Sequence, residues 1–121
     1  MPARYRIDKV RRTIFSTGSG ILTQNDLQDH RNRLLDDPDF DPSYNHLYDF
    51  SGATELKLSM GFVRDFARQR VRSETTRIAI VAPKDVFFGG VRAYQVWHDT
   101  MSGEINVFRS MDAARRWLKL E

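Results

Sequence analysis

The segment Ile78-Ala79-Ile80-Val81-Ala82 is the most hydrophobic stretch of the sequence, and it decides the fold class. A continuous apolar run that is rich in β-branched residues is typical of a strand covered on both faces, as in a parallel sheet. Pro83 follows this run directly and ends the strand, because proline cannot donate the backbone hydrogen bond that a sheet requires. We therefore expect a sheet with helices packed against it, which is the α/β class.

Further strands and helices are predicted on both sides of this segment. Alternation of apolar and polar residues at Tyr5–Ile7 and Thr13–Thr17 predicts an antiparallel pair, Asn45–Phe50 predicts a third strand and Ile105–Phe108 the last one. Four helices are predicted from their capping residues, beginning after Thr23, Ser59, Asp85 and Ser110. The order β, β, α, β, α, β, α, β, α predicts a mixed, mostly parallel sheet with an antiparallel N-terminal edge strand and about four helices.

The first predicted helix has both of its ends marked in the sequence. Thr23 and Asp26 have the form of a capping box at its start, and Pro38 stops it. Helical spacing predicts that its apolar side holds Leu27, Leu34 and Leu35, with Arg31 along the edge of the buried face.

Two glycine-containing segments are predicted to be turns. Gly18-Ser19-Gly20 lies between the second strand and the first helix, and Ser51-Gly52 lies at the exit of the third strand. A dinucleotide-binding loop also places glycines between a strand and a helix, but its third glycine would fall at Thr23. The interpretation that we favour for the first segment is a plain strand-to-helix turn.

Length, cysteine content, apolar runs and net charge limit the kind of protein that this sequence can form. A length of 121 residues fits one domain spanning 1–121, and the absence of cysteine excludes disulfides and thiolate metal sites. The sequence shows no signal-type N-terminus and no apolar run near the ~20 residues needed to cross a bilayer, which predicts a cytoplasmic protein with no membrane span. The net charge of +3 is the small difference between 19 basic and 16 acidic residues, so we expect no nucleic-acid partner.

Residues suited to catalysis or metal binding show no complete motif. His30, His46 and His98 are far apart in sequence, so a metal site would require long-range convergence, and we interpret each as an ordinary surface or edge-of-core histidine. The sequence contains no Gly-x-Ser-x-Gly motif, which in hydrolases surrounds the nucleophilic serine. We therefore expect no cofactor, no metal and no enzymatic activity.

The segment Leu47–Thr54, running into the helix that starts near Ser59, resembles the central segment of STAS domains. This bacterial family contains the anti-sigma-factor antagonists and has the SpoIIAA-like fold. Its strand ends in residues of the type Asp-Leu-Ser-Gly-Val-Thr, which Asp49, Ser51-Gly52 and Thr54 match, and its element order agrees over essentially the whole chain. The resemblance implies a STAS-like domain that acts in signalling without catalysis, by binding another protein.

The resemblance also assigns a candidate regulatory residue. Ser59 falls at the family's regulatory phosphoserine position, but Lys57 replaces the acidic neighbour and Met60 the following glycine, so the phospho-site is altered. Helix capping by Ser59 is the interpretation that we favour over phosphorylation. The candidate partner surface consists of Asp49, Ser51, Thr54 and Ser59.

An alternative function follows from the same resemblance, since some relatives of this fold enclose apolar or lipid-like molecules. A candidate apolar pocket is formed by Phe62, Phe66, Phe87, Tyr94 and Trp97. Aromatic residues at helical spacing also simply fill a core, which is the plainer interpretation. The sequence leaves open the identity of a partner or ligand and the oligomeric state.

Overall fold

The computed structural model describes residues 3–59, 61–62, 65, 76–82 and 104–120. Its elements are β1 Ala3–Asp8, β2 Thr13–Thr23, α1 Gln24–Asp36, β3 Asn45–Lys57, β4 Arg77–Val81, β5 Glu104–Phe108 and α2 Met111–Trp117. The described residues thus contain two complete helices, against the four or so that the sequence predicts. Gly61, Phe62 and Asp65 are also helical, where the helix after Ser59 is expected, and the helix predicted from Asp85 lies outside the described residues.

The five strands form one sheet in the order β1-β2-β3-β4-β5. β1 pairs with β2 in the antiparallel direction, and β2 with β3, β3 with β4 and β4 with β5 are parallel. This arrangement confirms the α/β class and the mixed sheet with an antiparallel N-terminal edge. It follows that the carboxyl ends of β2 to β5 lie toward one end of the sheet.

The two segments predicted to be turns are strands, so both predictions were wrong. β2 continues through Gly18-Ser19-Gly20 to Thr23, and β3 continues through Ser51-Gly52 to Lys57. The two strands pair along almost their whole length, with register shifts near the glycines of β2. Gly20 has φ +65, a left-handed conformation that glycine adopts without steric cost. The glycines therefore mark a β-bulge within a continuous strand and not a turn that ends it.

The apolar core lies on both faces of the sheet. One face buries the side chains of Leu22, Ala53, Ile78, Ile80 and Ile105, and the other buries those of Leu47, Ala79, Val81, Ala114 and Leu118. Because β4 contributes alternate residues to each set, it is the doubly covered strand that its sequence predicts.

α1 has the start and end that the sequence predicts but a shifted buried face. The Thr23 hydroxyl accepts from the backbone N–H of Asp26 at 3.2 Å, and Asp26 Oδ2 accepts from the backbone N–H of Thr23 at 2.9 Å. Arg31 is buried rather than at the edge of the face, and Leu35, which was predicted to be apolar core, is 42% exposed. The buried stripe of α1 runs through His30, Arg31 and Leu34, so the neighbouring position of Leu35 turns toward solvent.

No helix within the described ranges is long and apolar enough to cross a bilayer.

Candidate functional site

The candidate partner surface follows β3 from its middle to the segment after its end. Ser51, Thr54 and Ser59 are exposed, and Asp49 is half-buried. Asp49 Oδ1 accepts hydrogen bonds from both the backbone N–H and the hydroxyl of Ser51. The structure therefore brings these two residues together and fixes the Asp49 carboxylate on the strand.

The other two residues of this surface lie farther along the chain. β3 is continuous to Lys57, and a strand rises ~3.3 Å per residue, so roughly 25 Å of strand separates Asp49 from Lys57. Thr54 and Ser59 accordingly lie toward the far end of β3. The candidate partner surface is an elongated strip, and its members do not converge on one point.

Ser59 is held by two hydrogen bonds where the chain enters helical conformation. Its hydroxyl accepts from the backbone N–H of Phe62 at 3.0 Å, which is the geometry of an N-cap and agrees with the capping predicted for this serine. Its own backbone N–H donates to Oε1 of Gln24 at 2.7 Å, and Gln24 is the first residue of α1. The start of this helical segment is thus attached to the start of α1. Phosphorylation of Ser59 stays a prediction.

The candidate apolar pocket is described at one residue only. Phe62 is half-buried, whereas Phe66, Phe87, Tyr94 and Trp97 lie outside the described residues. The pocket therefore stays a prediction.

A buried polar cluster that the sequence analysis did not predict lies between α1 and the sheet. His30 of α1 and His46 of β3 are 4% and 0% exposed, so their interpretation as surface or edge residues was wrong. Both Nε2 atoms contact the hydroxyl of Ser16 on β2, at 3.0 Å for His30 and 2.6 Å for His46. Three elements therefore meet at one serine oxygen. We call Ser16, His30 and His46 the histidine–serine cluster.

Aromatic rings enclose the histidine–serine cluster. The ring of Tyr48 stacks on His46 with centroids 3.9 Å apart and an angle of 13° between planes, and Tyr5 meets His30 edge-on at 5.6 Å. A serine hydroxyl can donate one hydrogen bond and accept others, so Ser16 can donate to one imidazole and accept from the other. The buried position of all three side chains favours a structural role, in which the cluster holds α1 on the sheet. The described residues contain no group of three or more His, Cys, Asp or Glu side chains that could hold a metal ion.

Comparison with solved structures identifies the fold. A crystal structure of an uncharacterized protein from the DUF3478 family, with a SpoIIAA-like fold, from Shewanella loihica PV-4 superimposes with a TM-score of 0.63. The alignment covers 96% of this chain and 93% of that chain, at 18% sequence identity. The chain has a SpoIIAA-like fold. No family model and no curated protein matches the sequence.

A second polar contact secures the antiparallel edge of this SpoIIAA-like fold. The Tyr5 hydroxyl of β1 donates to Asp37 Oδ2 at 2.7 Å, just after the end of α1. Burial, followed by the hydrogen bond to Asp37, raises the pKa of Tyr5 to about 12. The backbone N–H of Asp39 and the Tyr5 hydroxyl lower the pKa of Asp37. The neutral phenol and the ionised carboxylate are therefore the forms that this contact stabilises.

Proposed function

We propose that the protein is a non-catalytic, cytoplasmic regulatory module that binds a protein partner through the strip formed by Asp49, Ser51, Thr54 and Ser59. The SpoIIAA-like fold and the resemblance of this segment to anti-sigma-factor antagonists support the proposal. The observation that carries it is the position of Ser59, which is exposed and is fixed at the start of a helical segment.

The strip is suited to contact with another protein because its side chains are polar and three of the four are exposed, and because Asp49, Ser51 and Thr54 lie on one strand. Ser51 and Thr54 lie on β3, which pairs with β2 from Asn45 to Lys57. Glu55 and Lys57 add one charge of each sign, with their charged atoms 3.9 Å apart. A surface that is held by a sheet changes shape little on binding, so a partner can recognise it in its unbound conformation.

A negative charge at Ser59 is expected to act on the partner rather than on the fold. Backbone N–H groups at a helix start favour a nearby negative charge, so glutamate or phosphate there is tolerated electrostatically. The charge would be presented to the partner at the end of the strip where Ser59 lies. Addition of charge at Ser59 is therefore expected to weaken partner binding.

Site-specific photo-crosslinking in cells tests the surface. A photo-reactive residue at Ser51 or Thr54 is expected to capture the same protein, and one at Asn32 on the exposed side of α1 is expected not to capture it. Capture of different proteins from Ser51 and Thr54, or of the same protein from Asn32, would contradict the proposal.

The effect of charge is then measured with the captured partner by comparing two capping serines. Ser59→Glu is expected to lower the affinity about tenfold or more, which corresponds to ~1.4 kcal/mol. Ser110→Glu is the matched control, because Ser110 is also exposed and also caps a helix, accepting from the backbone N–H of Ala113 at 3.2 Å. Equal affinity of the wild-type protein and Ser59→Glu would exclude this surface.

A further inference from the structure

A groove lies on the sheet face that α2 covers incompletely. α2 packs against β3, β4 and β5, so the same face of β1 and β2 extends beyond it. The space between α2 and β1 is an open groove of about 280 Å³. It is distinct from the strip proposed to bind a partner, apart from the shared carboxylate of Asp49.

The floor and one wall of the groove come from neighbouring strands. Arg4 and Arg6 are alternate residues of β1 and therefore project from the same face. Arg6 is opposite Phe15 of β2 and Arg4 is opposite Thr17, which is in turn opposite Asp49 of β3. The register thus places two guanidinium groups beside an aromatic floor.

The other wall is one turn of α2. Met111 and Arg115 are four residues apart and both line the groove. Apolar atoms of Met111 face the same space as Phe15, and Arg115 supplies a third guanidinium group. The groove therefore combines an apolar floor with basic side chains on two opposite sides.

The groove has an excess of positive charge among its lining side chains. Arg4, Arg6 and Arg115 contribute three positive charges against one negative charge from Asp49, whose Oδ1 already accepts from Ser51. Within the described part of the chain, Arg4 and Arg115 form no ion pair. Arg6 lies 3.6 Å from an oxygen of Asp8 and stacks its guanidinium 4.3 Å from the centre of the Phe15 ring.

We propose that this groove binds a small organic anion that carries a phosphate or carboxylate head on an apolar body. The head is held by Arg4 and Arg115, because guanidinium groups form paired, charge-assisted hydrogen bonds with both kinds of oxyanion. The body lies against Met111 and the part of the Phe15 ring that the Arg6 guanidinium leaves uncovered. The volume of the groove is close to the lower end of the range of roughly 300–1,000 Å³ found for small-molecule sites, which favours one compact ligand.

Titration of the full chain with four simple probes tests the ligand chemistry. Phenyl phosphate and benzoate carry both a head and a body, inorganic phosphate carries only a head, and benzyl alcohol carries only a body. In NMR spectra, the backbone amide signals of Arg4, Phe15 and Arg115 are expected to shift with phenyl phosphate or benzoate. The probe that binds more tightly shows whether the groove prefers a phosphate or a carboxylate head. Benzyl alcohol is expected to bind at least about tenfold more weakly than the tighter probe, which is ~1.4 kcal/mol. Binding of inorganic phosphate with the same affinity as phenyl phosphate would overturn the proposal, because the apolar floor would then contribute nothing.

Matched arginine variants test the site. Arg4→Gln and Arg115→Gln are each expected to lower the affinity about tenfold, and Arg116→Gln is expected to leave it unchanged. Arg116 is the control because it is the next residue of α2, it is exposed and its replacement removes the same charge. An equal loss of affinity in Arg115→Gln and Arg116→Gln would show that the anion is attracted by net charge alone. That result would overturn the proposed binding site.

Two further outcomes separate this proposal from others. Ser59→Glu is expected to bind the anion with the same affinity as the wild-type protein. The groove can therefore be confirmed even if the proposed partner surface proves wrong. A second copy of the chain seated in the groove would give a dimer by light scattering without ligand, and Arg115→Gln would abolish that dimer. That result would overturn the small-molecule proposal.

Discussion

At the scale of single residues, the hydroxyl of Ser16 is enclosed between two buried imidazoles and is shielded from bulk solvent. Ser16 is 4% exposed, and its oxygen is within hydrogen-bond distance of both His30 and His46. A buried polar atom that loses its partner keeps the full cost of its desolvation. The histidine–serine cluster is therefore expected to be sensitive to changes that hardly alter side-chain volume.

Ser16→Ala tests this sensitivity. The substitution removes one oxygen atom and is expected to lower the free energy of unfolding by about 1–3 kcal/mol, because each Nε2 loses its contact with the hydroxyl. Urea denaturation followed by circular dichroism measures the change. Ser43→Ala is the control, because the Ser43 hydroxyl also bonds to two groups, Asp41 and Arg12, but on the exposed surface where water replaces a lost partner. Its expected cost is within about 0.5 kcal/mol. Equal stability of the two variants would show that the cluster contributes nothing to folding.

The pKa of Tyr5 predicts a loss of stability at alkaline pH. Its folded-state pKa is raised from 10.0 to about 12, so folding stabilises the neutral phenol. That contribution is complete below about pH 10 and is lost as the pH rises toward 12. The free energy of unfolding is thus expected to fall more steeply across this window in the wild-type protein than in Tyr5→Phe. Parallel curves for the two proteins would contradict the raised pKa.

The histidine–serine cluster shows which part of a site cannot be predicted from local sequence patterns, namely contacts between residues that are distant in sequence. His30 lies 14 residues from Ser16, and His46 lies 30 residues from it. Neither separation matches the short spacing by which paired ligands are recognised on one helix or strand. The signal that the sequence does contain is Ile14, which lies two residues before Ser16. Alternate residues of a strand share a face, so the side chain of Ser16 lies on the same face of β2 as a buried isoleucine. Pairing of that face with α1 is a tertiary property, which the local pattern does not specify.

At the scale of elements, the sequence predicts the existence and type of the strands better than their ends. The run at Ile78–Ala82 and the capping residues Thr23 and Ser110 are local signals, and the structure confirms the strand and both helix starts. The glycines of β2 and β3 were interpreted as turns because glycine disfavours a strand in isolation. Parallel pairing between β2 and β3 outweighs that preference, since each strand supplies the partner that the other needs.

Two glycines in neighbouring positions of β2 and β3 are expected to respond differently to alanine. Gly20 has φ +65, so Gly20→Ala is expected to cost about 1–2 kcal/mol of stability although no atom lies within 4 Å of the added carbon. Gly52 lies opposite Ser19, and an added carbon there meets only ordinary contacts of 3.5 Å or more. Gly52→Ala is expected to be neutral or stabilising by up to about 1 kcal/mol. Thermal unfolding of the two variants measures the difference. A destabilisation of equal size at both positions would show that backbone conformation is not the cause.

At the scale of the whole molecule, the sheet is asymmetric. β4 is bonded to β3 on one side and β5 on the other, and its residues Ile78–Val81 are nearly inaccessible to solvent. β1 lies at the opposite edge and pairs, among the described strands, with β2 alone. Besides its ladder to β2 and the buried side chain of Ala3, β1 is attached by polar contacts with α1 and the loop after it, namely Tyr5 with Asp37 and the Arg33 guanidinium with the carbonyl of Ala3.

This asymmetry predicts two levels of stability within one sheet. Amides that are paired within the apolar core exchange with solvent only when the whole domain unfolds, whereas an edge strand held by polar contacts can open locally. We therefore expect the amides of Ile78–Val81 to exchange more slowly than those of β1, by native-state hydrogen exchange. Tyr5→Phe removes the hydroxyl that bonds to Asp37, so it should accelerate exchange in β1 by a larger factor than in β4. The same factor for both strands would mean that β1 opens only together with the rest of the sheet, and that the Tyr5 contact stabilises the domain as a single cooperative unit.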